Sequence, residues 1–280
     1  MDKIETVTAA ISYIETHLQE KLSLDTVAKA VCYSKYHLHR IFTDAAGITP
    51  HDYIQRRQLT EAAKLLAFSE RPVIEIALTA GYESQQAFAS TFKAMYKQTP
   101  IEYRQAGAFY PLQLRFTLNA HPSVPHAATQ EIFYATPTDL SGWMDFVSLV
   151  IDGFPCLDMT AHLEQVKRHI QRRQALVMRD GPVIIGGAAF SRQTGSIDFL
   201  AVHPQYRQYG VAAALLDFML DLFSGRELSI TTFRVGDKAD PGQRAEYQRL
   251  GFAESELLTE FSYPTQRLVL LPRQENKGHG

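Results

Sequence analysis

Cysteine is almost missing from this chain: its 280 residues hold two, Cys32 and Cys156, far apart. Two distant thiols make no disulfide framework, and a structural zinc site needs four clustered ligands. His37, His39 and His51 have no cysteine or acidic constellation around them, so no metal is expected. Long apolar runs are missing too, and none reaches the roughly 18 residues of a membrane span. The opening MDKIETVTAAISYIETHL is charged and amphipathic, unlike a secretory signal. The expected compartment is a reducing cytoplasm, with no membrane partner. Excess charge is also absent. Residues 1–105 carry 12 Lys/Arg against 12 Asp/Glu, and residues 106–280 carry 16 against 18. A nucleic-acid-binding half would therefore have to gather its cations on one face.

What is present divides the chain. Residues 1–105 read as helices throughout. Ile4, Val7, Ile11, Ile14 and Leu18 recur at helical spacing. Ser34 is placed as an N-cap, while Gly47 and Pro50 close the next segment. SLDTVAKAVCYSKYHLHRIF…TPHDYI and PVIEIALTAGYESQQAFASTF…TPIEYR then align position for position. Each copy is an apolar helix, a tight turn, a serine-capped helix ending in an aromatic, and a Thr-Pro-x-x-Tyr tail. A small bundle with a duplicated hairpin has this pattern, and so do two helix-turn-helix units joined by one helix, HDYIQRRQLTEAAKLLAFS.

Residues 106–129 are richer in proline and form the expected linker, although LQLRFTLN inside them has the pattern of a docking strand. From 130 to 273 the texture alternates. EIFYAT, ALVMRD, PVIIGGAAF, SIDFLAVH, LSITTF and RLVLLP read as strands, with amphipathic helices between them, which predicts an α/β domain. Residues 274–280 form a tail. The fold class expected is multidomain: an all-α tandem helix-turn-helix domain, then an α/β domain with a mixed, mostly antiparallel sheet.

Residues 5–104 resemble the DNA-binding domain of the AraC/XylS family, most of all its monomeric MarA/SoxS/Rob subgroup. The resemblance rests on SLDTVAKAVCYSKYHLHRIF, YIQRRQLTEAAKLL and GYESQQAFASTFKAMYKQTPIEYR. It implies a domain that binds double-stranded DNA as a monomer, with two recognition helices in successive major-groove segments. Tyr36, His39 and Arg40 are the base-reading candidates of the first helix, and arginine can donate twice to guanine. Gln85 and Gln86 are those of the second. Lys35, His37, Arg57 and Lys93 are candidates for backbone contact. Ser90 stands where the subgroup often has arginine, and Lys97 where the family often has glycine. Ile41, Phe42, Phe88 and Phe92 are core.

In the second half, Arg207-Gln208-Tyr209-Gly210-Val211-Ala212 lies between the apolar strand SIDFLAV and the apolar helix GVAAALLDFML. The R-x-x-G-x-A pattern is weak alone. A strand before it and a helix start after it make an anion cradle, because exposed amides and the helix dipole favour negative charge there. EYQRLGF follows at 246–252. With these residues, about 130–272 resemble the GNAT acetyltransferases. The resemblance implies acetyl-CoA as cofactor, its pyrophosphate on the amides of Gln208–Ala212 beside Arg207, and its pantetheine arm along Leu200, Ala201 and Val202. It places Tyr247 as the acid for the leaving thiolate. Ser196 stands where several members have a glutamate base. Asp198 is nearby, but strand alternation points it elsewhere, so Glu260 or a water chain is the substitute. Asp240 is the expected N-cap of the last helix. Trp143, Asp145, Phe146, Asp152, Phe154 and Asp158 should line an acceptor side suited to a small cationic amine. The amine is either acetylated or merely sensed, which leaves an enzyme and a ligand sensor both open.

Overall fold

The computed structural model describes residues 3–119, 131–223 and 225–272. The chain forms two compact units. Of the described residues, the first holds those in 3–119 with 145–159 and 236–241, and the second those in 131–144, 160–235 and 242–272. Linker residues 120–129 and the tail 274–280 lie outside the described residues.

Seven helices make most of the first unit: α1 (Lys3–Thr16), α2 (Leu24–Ala30), α3 (Lys35–Ala46), α4 (Pro50–Phe68), α5 (Val73–Thr79), α6 (Gln85–Tyr96) and α7 (Pro100–Ala106). The repeat seen in the sequence is physical. Helices α3 and α6 begin and end fifty positions apart, and Ser34 and Ser84 cap them by accepting from the N–H of His37 and Ala87. Such caps are worth about 1 kcal/mol each. Both helices stop on a left-handed residue, Gly47 at φ 68° and Lys97 at φ 62°. Glycine reaches this conformation without strain, whereas lysine carries its Cβ into it. Lys97 Nζ donates to the Ala94 carbonyl at 2.6 Å, which helps hold the turn. Thr49 and Thr99 then cap α4 and α7, each with proline in the first turn.

Val7, Ile11, Ile14, Val27, Leu38, Ile41, Phe42 and Tyr53 form the core of the first repeat. Phe88, Phe92, Tyr96 and Tyr103 stack in the second. Residues 107–119 form neither a loose tether nor a strand. They pack against the helices, with Leu112 and Phe116 buried, and the N–H groups of Leu112 and Gln113 donate to Thr60 Oγ1.

The second unit is built on a seven-stranded sheet. Its strands are β1 (Phe133–Tyr134), β2 (Ala175–Asp180), β3 (Val183–Phe190), β4 (Ser196–Val202), β5 (Leu228–Phe233), β6 (Ala253–Glu260) and β7 (Tyr263–Leu270). They lie in the order β1-β2-β3-β4-β5-β7-β6. Every pairing is antiparallel except β4 with β5. Helices α8 (Leu140–Val150) and α9 (Met159–Gln171) precede β2, α10 (Val211–Leu222) follows β4, and α11 (Gln243–Arg249) follows β5. The core joins the sheet to α10 and α11 through Leu176, Ile185, Leu200, Val211, Leu215, Met219, Ile230 and Tyr247.

Candidate functional site

In the first unit the two serine-capped helices present polar faces. Tyr36 is 80% exposed, and Lys35, His39 and Arg40 are exposed with it. Lys35 Nζ lies 5.4 Å from the centre of the Tyr36 ring, and His37, half-buried, stacks on Tyr33. On α6, Gln85, Gln86, Ser90 and Lys93 are exposed. Gln86, Ser90 and Lys93 fall at i, i+4 and i+7 on one face, at the positions that Tyr36, Arg40 and Thr43 occupy in the first copy.

Arg57 must be withdrawn from the phosphate-contact set. It is 6% exposed, and its guanidinium is fully engaged. Nε and Nη2 grip Glu15 at 2.8 and 2.7 Å, and Nη1 donates to the Gln113 carbonyl at 3.3 Å. Tyr53 donates to the same carboxylate at 2.7 Å. Burial works against ionisation of Glu15, but the hydrogen bond and charge of Arg57, with Tyr53 adding, hold its carboxyl below the ordinary value.

In the second unit the decisive feature is a split. Strands β4 and β5 pair only at Ser196↔Ser229 and Ile197↔Ile230, yet β4 continues to Val202 and β5 to Phe233. Beyond Ile197 the two strands part. The His203 N–H donates to the Ile185 carbonyl, which fixes the phase of the β3–β4 ladder. By that phase, Ala201 spends its backbone groups on β3, whereas Leu200 and Val202 turn theirs toward the split. Of the three strand residues expected to hold an arm, two are therefore suitably turned. Tyr247, 1% exposed, reaches the same edge, where its hydroxyl donates to the Leu200 carbonyl at 3.1 Å.

The turn after β4 is one stretch of 3-10 helix, Pro204–Tyr209, capped by Gly210 at φ 72°. A Cβ at Gly210 would meet nothing within 4 Å, so the space over the turn is open. The first bond of α10 runs from the Ala214 N–H to the Gly210 carbonyl. The helical amides ahead of it, those of Val211, Ala212 and Ala213, have no acceptor within the helix. Of the expected Gln208–Ala212 amides, those of Val211 and Ala212 therefore lack a helical acceptor, and so does that of Ala213. Arg207 and Gln208 are exposed at the rim and Tyr209 is half-buried.

Packing beneath holds the turn. Tyr206 donates to Asp180 Oδ2 at 2.5 Å, and His203 meets the Tyr206 ring edge-on. Burial, helped by the charge of Arg207, lowers the His203 pKa to about 4, so its ring is neutral and Nδ1 accepts from the Gln205 N–H. Gly186 of β3 lies directly under Val211, leaving no room for a side chain.

Three further expectations change. Gly242, not Asp240, caps α11. Of the acceptor-side residues, Trp143, Phe146 and Asp152 are buried, and Trp143 donates to His162 Nε2 at 3.0 Å and packs on Phe199. Asp198 does not point away from Ser196. The β3–β4 register shifts between Ala189 and Phe190, pairing Phe199 with Ala189 but Ile197 with Phe190, so Asp198 is the extra residue of a β-bulge. Ser196 and Asp198, two apart, share a face as alternation requires, and the bulge turns over the residues that follow, so that Ile197 and Leu200 enter the same core. Asp198 accepts from Ser196 Oγ at 2.9 Å and pairs with His169 Nε2 of α9 at 3.1 Å. Sequence reading missed His169, which carries no motif. Among the described residues no helix is long and apolar enough to cross a membrane, and no group of three or more His, Cys, Asp or Glu could hold a metal ion.

Known proteins resemble both units. Residues 27–106 match a helix-turn-helix domain family and residues 152–263 an acetyltransferase (GNAT) domain family. Regulatory protein SoxS of Escherichia coli K12 is 42% identical over 94 residues, which are 34% of this chain and 88% of SoxS. A crystal structure of a transcriptional regulator from Chromobacterium violaceum, described as having an AraC-type DNA-binding domain, is 32% identical. The match covers 37% of this chain and 93% of that one, with a TM-score of 0.35. The chain belongs to the AraC-type helix-turn-helix family. Its second unit carries a GNAT acetyltransferase domain. Another relative of the AraC-type unit is the right origin-binding protein of E. coli K12, 38% identical over 131 residues. That match spans 44% of this chain and 45% of the relative, less than half the length of either.

Proposed function

We propose that this AraC-type protein reads a specific DNA site through α3 and α6, and that its GNAT domain binds acetyl-CoA and acetylates a small amine. One observation carries the second half of the reading. The unpaired edge of β4 at Leu200 and Val202 leads straight into the open amides at the start of α10. A pantetheine arm needs such a peptide edge, and a pyrophosphate needs such a helix start. Gly210 leaves the approach clear. Acetyl-CoA supplies an activated acyl thioester. The protein's own groups hold it: Leu200 and Val202 by backbone bonds, Val211–Ala213 by amides, and Arg207 by charge at the rim. An arm that bonds the Leu200 carbonyl releases the Tyr247 hydroxyl, which can then donate to a departing thiolate.

For the AraC-type unit, Tyr36, His39, Arg40, Gln85 and Gln86 face base edges, while Lys35, His37 and Lys93 hold backbone. Arg40→Ala is expected to cost about 1–3 kcal/mol on the specific site and to relax sequence preference. Lys93→Ala should weaken all sequences alike and lower the salt dependence. Fluorescence anisotropy on specific and random duplexes separates the two. Equal losses on both duplexes for Arg40→Ala would remove its base-reading role.

A second reading, a GNAT domain that senses a ligand without turnover, is favoured by the commitment of Tyr247 to Leu200. Thiol release from acetyl-CoA with a panel of amines decides between them. Tight cofactor binding with no release by any amine establishes the sensor. If transfer occurs, Tyr247→Phe should lower kcat about 10²-fold or more, and an unchanged rate takes the acid role from Tyr247.

A further inference from the structure

Cations collect at the end of the sheet that lies away from the cradle. The cradle follows the C-terminal end of β4, whereas Tyr134 closes β1, Arg173 stands before β2, Arg192 follows β3 and Arg226 stands before β5. Strands β1 to β4 alternate in direction and β5 runs parallel to β4, so these four positions share the opposite end. Arg172, Arg173, Arg192 and Arg226 are all exposed there.

Three of these guanidiniums are braced. Arg173 Cζ lies 4.8 Å from the centre of the Tyr134 ring, and Arg192 Nη2 donates to the hydroxyl of the same tyrosine at 3.0 Å. Arg226 donates to the carbonyls of Arg192 and Gln193 at 2.9 and 2.8 Å. Phe190 and Phe223 meet edge to face, and each ring centre is 5.9 Å from the guanidinium carbon of Arg192 or Arg226. Arg173 also closes α9 at φ 52°, a conformation that glycine adopts without strain and arginine does not. The C-terminal ends of α9 and α10 favour nearby cations, which accounts for part of the clustering. It does not account for the missing acids. Arg179, Arg244, Arg249 and Arg267 of the same unit each hold a carboxylate. Among the described residues no carboxylate pairs with Arg173, Arg192 or Arg226.

We infer that Arg173, Arg192 and Arg226 form a second contact for double-stranded DNA, made to its phosphate backbone. Three exposed, unpaired cations at one end of a sheet complement a partner with closely spaced negative charge. Guanidinium forks match phosphate oxygens, and a fork already braced on a ring loses less freedom on binding. Phosphate contacts carry no sequence information, so this surface adds affinity without adding readout. Duplex DNA is the polyanion that the same polypeptide brings close, because the AraC-type unit is tethered to the patch and raises the local concentration of DNA around it. Coenzyme phosphates are not the occupant, since the cradle proposed for them lies at the other end of the sheet. The inference goes beyond base reading by α3 and α6 and is independent of acetyl transfer.

The test uses the full chain and a random-sequence duplex of about 60 base pairs, with anisotropy read from about 50 to 300 mM KCl. Combining Arg173→Gln, Arg192→Gln and Arg226→Gln should lower affinity about 10–10²-fold near 0.1 M salt. The slope of log K against log salt should shrink by about 2–3, close to one unit per phosphate released. Lysine at the same three positions should restore most of the slope, because counterion release follows charge. Arg249→Gln, which removes an arginine already paired with Glu246, should change neither quantity. Should the triple variant fail to fold, Arg173→Gln alone takes its place, with a slope smaller by about 0.9. Poly-L-glutamate is titrated in parallel. An unchanged slope in the variant that folds overturns the inference while DNA binding by the AraC-type unit stands. A loss confined to poly-L-glutamate overturns it as well and marks an acidic protein as the partner. A wild-type chain that binds no duplex overturns the inference and the DNA-reading proposal together.

Discussion

Replacing Arg57 with methionine is expected to cost the AraC-type unit about 3–5 kcal/mol. The guanidinium holds a two-pronged grip on Glu15, with side chains only 8% and 10% exposed, and adds a bond to the Gln113 carbonyl. Its removal strands a buried carboxylate and frees the segment that runs along α4. Hydrogen exchange of α1 and α4 amides in the full chain should accelerate about 10²–10⁴-fold. Unchanged exchange would make the pair dispensable. The same network sets an acid limit. Glu15 titrates below its ordinary value, so its stabilising effect is complete above the unfolded-state pKa of about 4.3 and is lost as pH falls through the folded value. Glu15→Gln should remove that acid-dependent portion.

The second large effect is expected at Gly186. An added methyl would overlap Val211 Cγ1 and sit 3.1 Å from Leu215 Cδ1. Val211 is β-branched and is the first residue of α10, so it has little freedom to turn aside. The helix start must lift from β3, at a cost of about 1–3 kcal/mol. Because the cradle amides ride on that helix start, Gly186→Ala should weaken acetyl-CoA binding at least tenfold, read by calorimetry. Pairing it with Val211→Ala should restore most of the loss, since the two changes share one volume. Wild-type affinity in Gly186→Ala would detach the cradle from this close packing. Gly210→Ala is the contrast: it has open space but a φ of 72°, so its cost of about 1–2 kcal/mol is conformational.

These two residues also mark where the sequence was legible. The order of elements in both units follows from apolar periodicity, proline and glycine punctuation and serine caps, and the structure keeps that order. The cradle was readable because strand, turn and helix are contiguous. Arg57 was not. Helix α4 is buried nearly all round, at Tyr53, Ile54, Arg56, Arg57, Gln58, Leu59, Thr60, Ala62 and Ala63. A helix whose solvent stripe is confined to its ends and to Glu61, Lys64 and Phe68 hides which of its cations are internal. Asp198 was misjudged for a related reason. Period-two alternation already puts Ser196 and Asp198 on one face, while the one-residue bulge that turns over the later β4 residues depends on a register with β3 that β4 alone does not encode. His169 became visible only when α9 was laid against that bulge.

The duplicated hairpin has a consequence for geometry on a promoter. Helices α3 and α6 occupy matching positions in the two repeats but display different side chains, Tyr36 and Arg40 against Gln86 and Ser90. A pair of subunits related by a two-fold axis reads the same message from either strand. Two unlike copies strung along one polypeptide have a leading end and a trailing end. Any duplex engaged by both helices is therefore bound with polarity, and inverting the site in place should turn the pair of helices toward the opposite direction along the DNA.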